Sequence, residues 1–265
     1  FGTSAPELMV SLQAAFDNAA GISIGNVIGS NIANIGLVLG LTVFIKPILV
    51  EKKKYILSWI VMILSSISLT GLLYDGIISL NDGIMFLAGL ALFIFLSIKF
   101  IKKEEIDGNK EDEIGVLVSI ALLLSGAAGL YFGSELFVSS SVMIAQSIGI
   151  SEFVIGVSIV AFGTSLPELA TVVISYVRKK GSIGIGNVIG SNIMNILFVL
   201  FPGIIIVQSR NLNFFVPENI FLHLNILIIS TLIIFSLSLA KFTMSKFTSL
   251  IFIICYLIYI YSVII

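Results

Sequence analysis

The chain has 265 residues, 58% of them hydrophobic and 11% charged, with a mean hydropathy of +1.15 and a net charge of −1. This composition lies outside the range of soluble globular domains, and so even a charge balance carries no message about nucleic acid. Its one cysteine, Cys255, cannot form an internal disulfide, and its one histidine, His223, is expected to pack or face the membrane interface rather than bind metal.

Apolar runs of about 20 residues suffice to cross a bilayer, and they divide the chain into nine expected helices. Residues 1–17 form the first, carrying Glu7, and a short turn leads into a glycine-rich helix over 22–46. The charged loop Glu51–Lys54 precedes helices over 55–74 and 83–101. The polar stretch 101–113 is the longest in the chain and holds the linker, placed at 104–113, between a first half (1–103) and a second (114–265). The second half opens with a long segment over 114–147 and continues with helices over 152–177, 182–207, 217–240 and 246–265. Within the long segment Glu135 reads as a buried acid in tight packing near a helix end. Five helices against four make the halves unequal, so a leading helix is expected to be missing from this chain.

Charge placement tests that span list. One crossing per segment puts 46–54, 99–110, 178–180 and 241–246 on one side, and these hold 13 of the 14 lysines and arginines, with Arg210 alone opposite. The positive-inside rule makes that side cytoplasmic. Repeats with an odd number of crossings must also run in opposite directions, the inverted-repeat architecture of secondary transporters.

The two halves share their most polar stretch. At an offset of 161 residues, Phe1–Ile35 aligns with Phe162–Ile196 without a gap, and 19 of the 35 positions are identical. The identities fall in two blocks, FGTSxPEL and IGNVIGSNIxNI. In the first, Glu7 and Glu168 each follow a proline. Proline has no N–H and clashes with the turn before it, so preceding carbonyls lose their helical partners. The backbone oxygens of Thr3, Ser4, Thr164 and Ser165 are therefore expected to be free. Positions three and four apart share a helix face, which gathers each threonine, serine and glutamate into a hard-oxygen cluster. Such ligands suit Na⁺, Ca²⁺ or Mg²⁺ rather than a soft metal. The second block supplies Asn26, Ser30 and Asn34, and Asn187, Ser191 and Asn195, each trio on one helix face. Ser30, Asn34, Ser191 and Asn195 are read as ligands, and Asn26, Asn31, Asn187 and Asn192 as bonds between helices. Gly25 with Gly29, and Gly186 with Gly190, are small-xxx-small pairs that admit a close neighbouring helix.

GTSxPE followed by GNVIGSNIxN, present twice, resembles the α-repeats of Na⁺/Ca²⁺ exchangers of the cation/Ca²⁺ antiporter superfamily, in its compact prokaryotic, membrane-domain form. The H⁺/Ca²⁺ branch typically carries a glutamate soon after the Gly-Asn of the second block. Here Val27-Ile28-Gly29 follows Asn26, which favours the Na⁺-coupled branch. The resemblance implies an all-α polytopic membrane protein of two inverted five-helix repeats, the first helix of repeat one being missing here. It implies multi-pass insertion in the cell membrane, no enzymatic activity, no cofactor and a monomeric state. The implied ion-binding set is Thr3, Ser4, Glu7, Ser30, Asn34, Ala161, Thr164, Ser165, Glu168, Ser191 and Asn195, with Ca²⁺ and Na⁺ as transported substrates. The implied reaction is electrogenic exchange of roughly three Na⁺ for one Ca²⁺, both hard cations, by alternating access. One residue departs from the pattern: Asn195 stands where these exchangers commonly have aspartate, leaving two acids at the centre rather than three. A Ca²⁺/H⁺ or other cation/H⁺ exchanger is the alternative within transport, and a cation channel or non-transporting scaffold the alternatives outside it. An enzyme has little support, because no nucleophile–base pair, nucleotide loop or Cys/His cluster occurs.

Overall fold

A computed structural model describes residues 2–49, 52–100, 115–178, 181–210, 214–217, 219–240 and 242–264. In a bilayer each backbone N–H and C=O must find its partner within the protein, and a helix does so inside a single segment. The apolar runs accordingly fold as helices. Helix α1 is Ala5–Phe16, α2 Ala20–Ile45, α3 Lys52–Leu72, α4 Leu80–Phe100 and α5 Val116–Ile148; α6 (152–164) and α7 Leu166–Val177 follow, then α8 (181–209), α9 Ile220–Leu239 and α10 Lys246–Ile264. Among the described residues these coincide with the nine expected segments. The sixth is broken at Ser165 into α6 and α7, which makes ten helices. Seven helical runs are long and apolar enough to cross a membrane, and the protein is an all-helical, multi-pass membrane protein. The expected linker at 104–113 lies outside the described residues.

The repeat seen in the sequence reappears in the backbone. α1 and α7 are each 12 residues long and start 161 residues apart. α2 and α8 each run 14 residues as regular α-helix before widening into a π-helical turn, at Asn34–Leu39 and Asn195–Val199. A third π-helical turn, Gly156–Val160, lies within α6. Such widened turns concentrate at functional sites, and nothing in the apolar periodicity announced them.

Four two-residue strands were also unforeseen: β1 Ile48–Leu49, β2 Ile77–Ile78, β3 Phe214–Phe215 and β4 Thr243–Met244. They are too short to leave a period-2 signal. β1 pairs antiparallel with β4, and β2 with β3. β1 and β3 follow corresponding helices of the two halves, as do β2 and β4, so each ribbon joins one half to the other. The first ribbon brings the segment after α2 to the segment before α10, and the second brings the segment after α3 to that before α9. Helix α3, which runs from the first ribbon to the second, separates them by one crossing. Arg210 precedes β3 of the second ribbon: its guanidinium donates to the Phe16 carbonyl at 2.6 Å and stacks 5.5 Å from the Phe16 ring centroid. There it meets the orphan carbonyls at the end of α1.

Helix α2 packs backbone to backbone on α6. A Cβ on Gly25 would lie 2.7 Å from the Phe153 carbonyl oxygen, and one on Gly29 2.5 Å from that of Val157 and 2.6 Å from the Ala161 Cβ. The close-approach expectation is thus met at the first glycine pair. It fails at the second: Gly186 has only Tyr55, 3.8 Å away, and Gly190 nothing within 4 Å. The neighbour of the first pair is α6. Glu135 is a second correction. It is exposed in mid-helix, because α5 meets the bundle through Val138, Ser141 and their neighbours, and Glu135 lies off that stripe. His223 packs as expected, buried with its Nδ1 2.8 Å from the Tyr259 hydroxyl and its ring edge-on to Phe153.

Candidate functional site

The two motif blocks meet at the middle of the bundle. Ser4 and Ser165 occupy the N-cap positions of α1 and α7, and each opens the pattern Ser-x-Pro-Glu. That is a capping-box sequence, in which the serine hydroxyl ordinarily accepts from the N3 amide while the glutamate folds back. Neither serine makes a side-chain cap hydrogen bond here. Their hydroxyls are buried without a partner, as are both carboxylate oxygens of Glu7 and Oε2 of Glu168. The capping groups are present in the sequence and directed elsewhere.

The backbone part of the expectation needs correcting. The Ser4 carbonyl accepts from Leu8 N–H and that of Ser165 from Leu169 N–H, both at 3.1 Å. Proline removes only its own donation, and the helix resumes immediately behind it. Of the four backbone oxygens expected to be free, two are therefore engaged. The Ala161 carbonyl accepts from Ser165 N–H at 3.1 Å and lies 3.4 Å from the Thr164 hydroxyl.

Each threonine reaches across to the other half, and it does so twice in matching fashion. Thr3 Oγ1 donates to Asn187 Oδ1 at 3.0 Å and lies 3.2 Å from the Ser191 hydroxyl. Thr164 Oγ1 donates to Asn26 Oδ1 at 3.0 Å and lies 3.1 Å from the Ser30 hydroxyl. Asn26 completes its amide by donating to the Glu7 carbonyl and to Ser11 Oγ, both at 3.2 Å. Asn26 is thus a bridging group with its amide satisfied, as read from the sequence. The halves differ at one point. Ser191 donates to Glu168 Oε1 at 3.2 Å, whereas Ser30 turns to Asn26 Oδ1 at 3.3 Å rather than to Glu7.

The second stripe shows the same crossing. Asn34 Nδ2 donates to Asn192 Oδ1 at 3.0 Å, and Asn195 Nδ2 to Asn31 Oδ1 at 3.2 Å. Both donors are first residues of the π-helical turns. With their nitrogens engaged, the Oδ1 atoms of Asn34 and Asn195 are left buried and unpartnered.

The expected site residues therefore come together. All except half-buried Thr3 are buried, and Glu7, Asn34, Glu168 and Asn195 are fully so. Pro6, Thr164 and Leu166 line one open cavity of about 360 Å³, with Phe137 of α5 also in its wall. Buried polar atoms ordinarily carry a partner. Here the oxygens without one are the Ser4 and Ser165 hydroxyls, the Glu7 and Glu168 carboxylates and the Asn34 and Asn195 amide carbonyls. All these oxygens can accept and two of the residues bring negative charge; the amide nitrogens of Asn31 and Asn187 on the same stripes are likewise buried without a partner. No cluster of three or more His, Cys, Asp or Glu occurs among the described residues. What this arrangement can do is hold a hard cation with two carboxylates and neutral oxygens.

The sequence pattern of the sodium/calcium exchanger protein family matches residues 1–99 and 118–265. An uncharacterized membrane protein of Methanocaldococcus jannaschii is 42% identical over 197 residues, 74% of this chain and 64% of that protein. The sodium/calcium exchanger MaX1 of Methanosarcina acetivorans is 33% identical over 286 residues, covering 87% of this chain and 79% of the exchanger. The solved structure of the sodium-calcium exchanger NCX_Mj, soaked with Na⁺ and Sr²⁺, superposes with a TM-score of 0.70 at 34% identity, over 98% of this chain and 83% of the other. Of the curated relatives first matched, the chain spans about two thirds of the length or slightly less.

Proposed function

The chain belongs to the sodium/calcium exchanger family, and from that premise we propose that it is a secondary antiporter moving Ca²⁺ against Na⁺ by alternating access. The observation that carries this reading is the set of buried, unpartnered acceptor oxygens on both motif copies, Ser4, Glu7, Asn34, Ser165, Glu168 and Asn195. A carboxylate at the bilayer centre costs roughly 2.5–3.5 kcal/mol on insertion scales, and two of them repay that cost by binding a cation. Two ionised carboxylates balance one Ca²⁺ or two Na⁺. Oxygens shared between the two ions make them compete, so one species leaves before the other enters. Thr3, Ser30, Thr164, Ser191 and the Ala161 carbonyl complete the proposed ligand set.

Alternating access needs two equivalent routes to one site. The crossed ribbons and the matched cross-half hydrogen bonds support reading the halves as inverted copies, divided at 104–113 and related by a rotation of about 180° about an axis in the membrane plane. The single observation against H⁺ coupling is the run Val27-Ile28-Gly29 after Asn26, which offers no titrating side chain beside Asn26.

Uptake of ⁴⁵Ca²⁺ into Na⁺-loaded proteoliposomes tests the proposal. Uptake should follow the Na⁺ gradient and ignore a pH gradient. If roughly three Na⁺ leave for each Ca²⁺ that enters, one positive charge exits per cycle, and an inside-positive clamp should accelerate uptake. Flux driven by pH alone would identify a cation/H⁺ exchanger, and conductance without counter-ion dependence a channel.

A further inference from the structure

We infer that Asn31 and Asn192 are positioning residues that decide which end of the Asn34 and Asn195 amides faces the cation, and that this chain depends on Asn31 because residue 195 is an amide. The inference rests on the proposed cation site. An asparagine side chain presents an acceptor oxygen at one end and a two-proton donor at the other. Only the oxygen can bind a cation; the NH₂ end repels it. Shape alone barely distinguishes the two orientations, so the choice falls to a hydrogen-bond partner at the opposite end.

That partner comes from the other half in both cases. Asn31 Oδ1 accepts from Asn195 Nδ2, and Asn192 Oδ1 accepts from Asn34 Nδ2. Each bond holds the nitrogen away and turns Oδ1 into the buried centre, where it has no other partner. Asn192 is itself pinned, its Nδ2 donating to the Asn31 carbonyl at 3.2 Å. All four side chains are essentially without solvent contact, so water cannot replace the bond. The arrangement is the outer-shell orientation of ligands found around metal sites, built here from amides alone. A carboxylate at 195 would have less need of it, since either of its oxygens can face the ion.

The test is a double-mutant cycle read as apparent Ca²⁺ affinity by ⁴⁵Ca²⁺ binding to the purified protein. Asn31→Leu in the parent should weaken binding about tenfold or more, as loss of an outer-shell partner does. The same change on Asn195→Asp should cost about threefold or less, because the orientation problem has been removed. Equal losses in the two backgrounds would mark Asn31 as merely structural and overturn the inference, as would no loss in the parent. Asn192→Leu, with and without Asn34→Asp, repeats the cycle in the other half and decides the matter where an Asn31 variant fails to fold. Glu168→Gln separates the two levels: Ca²⁺ binding that survives it removes the cation site itself. Binding abolished by it, alongside equal losses in both cycles, removes only the orienting role.

Discussion

At the scale of single residues, the chemistry lies in atoms denied their usual partners. Ser4 and Glu7, like Ser165 and Glu168, stand in capping-box register yet leave the helix terminus uncapped by the serine hydroxyl. Neutralising either acid removes half the negative charge of the centre. Glu7→Gln and Glu168→Gln should each weaken Ca²⁺ binding at least about tenfold, since ligand charge sets the affinity of such sites, while the thermal midpoint in detergent stays put or rises. Retained uptake in either variant would remove that residue from the site. Residue 195 is the position at which a pH dependence can be introduced into the proposed site. An amide does not titrate, so Asn195→Asp introduces a group that is neutral at low pH, where it mimics asparagine, and charged at higher pH. The uptake profiles of parent and variant should coincide on the acid side and separate as pH rises. Coincidence across the whole range would show that residue 195 does not face the transported ion.

At the scale of elements, the contact between α2 and α6 sets the geometry of half the proposed site, because it seats Asn26 and Ser30 against Thr164. Gly29 is where that contact is tightest: an added Cβ would press on the Val157 backbone and the Ala161 Cβ at 2.5–2.6 Å. Backbone cannot step aside as a flexible side chain can. Gly29→Ala should therefore lower the thermal midpoint and abolish uptake, with a cost of roughly 1–3 kcal/mol from overpacking. A Cβ added to Gly71, in α3, would meet nothing within 4 Å. Gly71→Ala should be neutral or stabilising by up to about 1 kcal/mol, the usual helix preference for alanine. If the two substitutions shift the midpoint equally, the close packing of α2 on α6 is not what holds these helices.

At the scale of the whole molecule, the proposed opposite orientation of the halves is supported by strand pairing and charge. β1 pairs with β4 and β2 with β3, so each loop meets the opposite half's loop that lies one crossing away from its own counterpart, and the sequence places the lysine-rich loops on one side. The single cysteine makes this testable, because Cys255→Ser clears the background for introduced thiols. Lys246→Cys should react with an impermeant maleimide only from the cytoplasmic face. Tyr74→Cys, at a position 82% exposed beside β2, should react only from the opposite face. Labelling of both from one face would refute the inverted arrangement.

What the sequence determined by itself was set by local and periodic signals. Apolar runs located nine helical segments to within a few residues, and a doubled motif with a constant offset picked out the residues that meet across the two halves. What it could not carry were features whose causes lie between distant segments. The two-residue ribbons are stabilised only by pairing across halves. The open flank of Gly186 and Gly190 depends on which helix lies beside them, not on the glycines, and Glu135 faces outward because α5 packs along a different stripe. The freed carbonyls of Ser4 and Ser165 were expected from proline alone, but helix resumption behind the proline engages them. Asn31 and Asn192 were legible as bonds between helices. Their orienting role depends on which end of Asn34 and Asn195 each one meets, and only the tertiary structure decides the direction of a hydrogen bond between residues more than 150 positions apart.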